Sequence, residues 1–136
     1  MIALIWLHVV GLVLWIGSIV AVGVLLASRH GEPRTRGALG YEIYLWLSVP
    51  AFVLAFGAGL ARLLSDTALY FKQTHFMHGK LAVALVIIAL HHVLGARAKK
   101  MARGAVDGPG PALGLALGIA AGAVVAALLV VFRIPD

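Results

Sequence analysis

The chain has no cysteine. That absence excludes disulfides, zinc ribbons, iron–sulfur clusters, c-type haem attachment and thiol catalysis. Charge is scarce as well. Charged residues make up 12% of the 136 residues and apolar ones 62%, against about 25% and roughly 45–50% in soluble domains. Such a composition is not that of a water-soluble protein. The first apolar segment lacks a basic start and is too long for the h-region of a signal peptide. The length suits one domain, taken here as residues 1–136.

What the chain has instead is four apolar segments, at about 2–27, 41–64, 74–96 and 111–132. Each is near the ~20 residues that a spanning helix needs. The stretches between them, "SRHGEPRTRG", "SDTALYFKQ" and "RAKKMARGAVDGPG", hold most of the charge and the turn residues. The expected fold is an all-α integral membrane protein, a four-transmembrane-helix bundle with antiparallel neighbours. Arg29, Arg34 and Arg36 fall in the first loop, and Arg97, Lys99, Lys100 and Arg103 in the third. The positive-inside rule makes both loops cytoplasmic and turns both termini outward. The net charge of +6 is therefore a topology signal. A lipid bilayer is the expected surrounding, and nucleic acid is not an expected partner.

Ionisable groups inside so apolar a chain need a reason. His8 lies ~9–10 Å below the outer start of the first helix at 1.5 Å per residue. His78 lies near the outer start of the third helix, and Arg62 near the outer end of the second. Two imidazoles and a guanidinium at one depth suit a b-type haem, with His8 and His78 as axial ligands between helices. Arg62, Lys72, Gln73 and Thr74 are candidate partners for its propionates. Gly11, Leu12, Trp15 and Ser18 share the His8 face by helical spacing. Gly11 and Ser18 leave room beside a planar ring, and Trp15 walls it.

Blander readings compete. Trp6 suits interfacial anchoring, and a lone intramembrane histidine often bonds a backbone carbonyl. His75 and His30 sit near loops and read as solvated. Lys80 is costly if buried unpaired, yet its stem can snorkel outward; Asp66, a propionate or a substrate carboxylate could pair with it. His92 lies ~21 Å along the helix from His78, too far to share one iron. It would suit a second haem in the other leaflet, but the first helix has no histidine at that depth. His91 points close to the Lys80 face instead.

"LHVVGLVLWIGSIVAVGVLLASRH" followed by "HGKLAVALVIIALHH" resembles the HemJ-type membrane protoporphyrinogen oxidases, within the CopD-like superfamily. The resemblance rests on His8, Trp15, Gly17, Arg29, His30, Tyr44, Pro50, His78-x-Lys80-Leu81 and His91, and covers about the first hundred residues. It implies a multi-pass protein of a bacterial inner membrane that binds one haem b through His8 and His78. It further implies oxidation of a porphyrin-type substrate, with electrons passed to a quinone or another carrier of the respiratory chain. Lys80 then becomes the candidate catalytic residue, for substrate carboxylates or proton transfer. The chain departs from the family at Glu42, where an arginine is usual, and at Phe76–Met77, where a tryptophan–leucine pair is usual. "DGPGPALG" replaces an acidic–proline signature before the last helix.

Other functions remain open at this stage. One is an electron-transfer cytochrome b without substrate chemistry. Another is copper handling through His75, Met77 and His78, since soft ligands suit Cu(I); on a helix, however, Met77 points ~100° away from His78. The last helix has no ionisable group. Gly114, Gly118 and Gly122 form a small-residue stripe suited to close packing, within the bundle or in a homodimer.

Overall fold

A computed structural model describes residues 2–72 and 76–132. Four helices in it are long and apolar enough to cross a membrane, and no strand forms among the described residues. The first, α1, is Ile2–Ala27. The second span joins α2 (Pro33–Ile43), a π-helical turn (Tyr44–Ser48) and α3 (Val49–Leu64) into one continuous helix. A short α4 (Thr67–Lys72) follows, then α5 (Phe76–Ala102) and α6 (Ala112–Val131). The protein is a multi-pass, all-helical bundle.

Two boundaries differ from the sequence expectation, and both have local causes. The second helix begins at Pro33 rather than near residue 41. Proline suits the first helical turn because its missing N–H would lack a partner there anyway. α5 runs on to Ala102 rather than ending near residue 96. It stops where Gly104 takes φ 69, with Gly104 N–H donating to Met101 O and Ala105 N–H to Lys100 O. That is a Schellman ending, which glycine permits without steric cost. α4 itself is capped by the preceding Asp66, whose carboxylate accepts the Leu69 N–H at 3.1 Å.

The basic residues at this end also hold it together. Arg34 Nε donates to Ala102 O at 3.3 Å and Arg36 Nη1 to Leu26 O at 3.5 Å. Carbonyls at the ends of α5 and α1 have no N–H of their own helix to meet. Two of the arginines read as a topology signal therefore cap neighbouring helices too.

Trp15, Ile19, Val22 and Leu26 of α1 pack with Leu94, Ala98 and Met101 of α5 and with Ala112, Ala116 and Ile119 of α6. Small residues bring the backbones close: Gly23 against Ala116, Gly37 against Met101 and Ala102, Gly11 against Ala55. Gly122 of the last helix meets Ile87, and Gly118 approaches Leu90, so part of that stripe serves internal packing.

The second span does not keep the same neighbours along its length. α2 packs on α5, whereas α3 packs on α1 and draws away from α5. The change comes at the π turn, where Val49 N–H reaches back to Tyr44 O. Pro50, next along the chain, has no N–H, and its ring would strike the carbonyl four residues back. A wider turn relieves that clash. Beyond it, α3 and α5 part, and the space between them is the site.

Candidate ligand cavity and its histidines

A cavity of about 430 Å³ fills the gap, at the end of the bundle away from the basic loops. That is the size of many small-molecule sites. Its walls come from Ile5, His8 and Val9 of α1, Phe56, Gly59 and Arg62 of α3, Tyr70 of α4, and Met77 and Lys80 of α5. A second space of about 120 Å³ lies deeper and shares His8, Phe56 and Lys80 with the first. Trp15, Phe52 and Ile87 form part of its wall. Most of both linings is apolar, and the polar residues of the outer cavity are one histidine, two cations and Tyr70.

His8 is held rather than free. Its Nδ1 is 2.6 Å from Ala55 O. A carbonyl only accepts, so Nδ1 carries the proton and donates. The other ring nitrogen, Nε2, is left with a lone pair. Gly59 lies against the ring, and a Cβ there would come within 2.8 Å of Nδ1. Arg62 Nη1 donates to Ser65 Oγ at 3.1 Å, and its guanidinium stands 5.4 Å from the Tyr70 ring centroid. Lys80 is half-buried and lines both spaces.

The structure thus brings His8, Arg62 and Lys80 to one cavity. It does not bring His78 there. That side chain is exposed, its ring edge-on to Phe71 at 5.5 Å, and it lines neither space. The reason is helical phase. α5 turns Met77, Ile87 and His91 inward, and His78 follows Met77 by ~100°. Similar depth was legible from residue counting, but facing was not.

Other expected positions divide in the same way. Trp15 is buried and walls the inner space. Gly11 admits the α3 backbone at Ala55 and leaves no room for a ligand ring. Ser18 is buried in a polar chain, with Ser48 Oγ donating to Ser18 Oγ at 2.7 Å and Ser18 Oγ to Trp15 O at 2.8 Å. Neither of these two lines the outer cavity or the inner space. Lys72 is exposed. Asp66, weighed as a partner for Lys80, caps α4. Gln73, Thr74 and His75 lie outside the described residues. Met77 turns inward and His78 outward, so the two do not converge on one ion. Among the described residues no group of three or more His, Cys, Asp or Glu gathers around a metal position.

A second feature escaped the sequence reading. His91 is wholly buried inside an aromatic box. Trp15 Nε1–H donates to its Nδ1 at 3.0 Å. Tyr44 and Phe52 cover it with ring centroids at 4.8 Å and 5.3 Å. His92, weighed for a second haem, is exposed, with its Nδ1 3.4 Å from the Tyr44 hydroxyl. The phase of α5 placed His91 on the Lys80 side. The box itself depends on the π turn, which Pro50 signals only to a reader expecting the clash.

No family model matches the chain, and no curated protein or solved structure matches it.

Proposed function

We propose that the chain is a haem b-binding redox protein of a bacterial inner membrane, with His8 as the iron-binding residue and the α3–α5 cavity as its pocket. What supports this reading is the state of His8. A metal-binding imidazole commonly gives one N–H to a carbonyl and turns the other nitrogen to the metal, and Ala55 O takes that N–H here. The residues fit a porphyrin held by a single imidazole. They do not fit the His8–His78 pair expected from the sequence, because His78 faces away.

Arg62 and Lys80 line the same cavity as His8 and would be the residues to hold the carboxylates of such a ring. Charge-assisted bonds from these groups would hold its polar edge, while Phe56, Phe52 and Trp15, which line the two spaces, would keep water from its apolar body. A bound haem would supply one-electron chemistry at potentials tuned by its ligand and burial. The resemblance to the HemJ-type enzymes gives the fuller proposal: a reduced porphyrin loses electrons here and a quinone or similar carrier receives them. Lys80, on both spaces, is the residue to move a proton or hold a substrate carboxylate. An electron-transfer cytochrome b would use the same His8 site without that turnover.

The test is a reduced-minus-oxidised spectrum of detergent-purified protein, with haem counted as its pyridine haemochrome. The expected result is a b-type spectrum near one haem per chain, followed by turnover with protoporphyrinogen. Haem without turnover leaves the cytochrome. No haem after expression with haem in excess overturns the proposal.

A further inference from the structure

His91 has two ring nitrogens with different fates. Nδ1 accepts the Trp15 indole N–H, and an indole nitrogen can only donate. Nδ1 is therefore bare, and the proton of the neutral ring sits on Nε2. That Nε2–H is buried and has no hydrogen-bond partner. A donor left so costs about 1–3 kcal/mol, and buried polar groups almost always have a protein or water partner.

The two rings stacked on it do not supply one, and Trp15 and His92, which stand edge-on at 5.6 Å and 5.2 Å, make no hydrogen bond to Nε2. Phe52 and Tyr44 lie at only 29° and 31° to the imidazole plane, so their faces cover its face and do not receive an N–H at its edge. The Tyr44 hydroxyl is directed to His92. His91 is wholly buried, so only a small molecule could meet its Nε2–H. Pro50 has no N–H, so one carbonyl in the π turn before it lacks its helical partner.

We propose that His91 is a positioning residue which holds Trp15 through Nδ1 and carries an internal water on Nε2–H. The water takes one bond from the imidazole and needs at least one further polar partner, since a buried water makes two to four bonds. The consequence reaches the cavity. Trp15 walls the inner space, and its indole is fixed only while His91 keeps this tautomer. In this arrangement His91 cannot offer Nε2 to an iron, because that nitrogen bears the proton. The inference does not depend on which ligand the cavity takes.

The experiment is nitrogen NMR on the detergent-solubilised chain labelled at histidine and tryptophan. The expected His91 signature is one protonated and one bare ring nitrogen, with the bare one correlated through the hydrogen bond to the Trp15 indole proton. Cross-relaxation with water should appear at Nε2–H. His91→Asn, which keeps an acceptor near the Nδ1 position, should retain the shifted indole signal, and His91→Leu should lose it. Trp15→Phe should release the tautomer into a mixture. If a variant does not fold, the wild-type spectrum still decides. A proton on Nδ1, or an Nε2–H with no contact to water, overturns the proposal.

Discussion

His8 of α1 and Ala55 of α3, 47 residues apart in the chain, meet through a 2.6 Å contact from the imidazole Nδ1 to the backbone carbonyl. The bond does two things at once. It joins two helices, and it commits the proton of the ring to one nitrogen. Everything proposed for the outer cavity follows from the nitrogen left over.

Replacing His8 by alanine should therefore abolish haem binding, while the four apolar spans still insert. Replacing His78 should change the haem content by less than about twofold, because that side chain lies on another face of α5 and surface changes are generally mild. Haem counted on the two purified variants decides the point. Equal loss in both would restore the two-histidine arrangement and contradict the facing described here.

Gly59→Ala offers a second check on the same nitrogen. The added methyl would stand 2.8 Å from His8 Nδ1, so the imidazole must turn or move. Overpacking of this kind costs about 1–3 kcal/mol, equivalent to roughly a thirtyfold loss of haem affinity at the middle of that range. Haem titration by absorbance measures it. Gly57→Ala, one turn face away with nothing within 4 Å, is the control and should bind as the parent does.

Arg62→Gln and Lys80→Met should each weaken binding of a porphyrin dicarboxylate by roughly tenfold, the scale of one charge-assisted hydrogen bond. Neither should affect the dimethyl ester of the same porphyrin, which has no carboxylate to neutralise. Fluorescence titration with both forms separates a charge effect from a packing effect. An equal loss for acid and ester would show that these side chains merely shape the walls.

Gly95→Ala tests the histidine box without touching the cavity lining. Tyr44 lies directly over Gly95, and a methyl there would overlap its ring. The melting temperature should fall by several degrees for a loss of about 1–3 kcal/mol. Gly17→Ala, which meets nothing within 4 Å, should leave it unchanged.

The sequence carried the membrane fold openly, because four long apolar segments separated by charged loops admit few other arrangements. It also carried depth: His8 and Arg62 do reach one cavity, as residue counting along antiparallel helices implied. Facing was harder to read. A 27-residue apolar helix such as α5 has little polar–apolar contrast to mark its inner side, so His78 and Lys80 looked equally eligible. Gly11 and Ser18 show the same limit from the other direction. Small residues on the His8 side were legible, but whether they admit a ligand or a helix depends on where α3 lies, and a single π turn decides that.

The divergence of α3 from α5 also has a consequence for traffic. Ile5, Val9, Leu60 and Leu81 line the cavity and keep a large part of their surface exposed. In a bilayer, the medium at that opening is acyl chain. A ligand would then enter sideways, already dissolved in lipid, and its mole fraction in the membrane would set occupancy. Two cavity ligands of equal intrinsic affinity would compete according to how well each partitions into the bilayer.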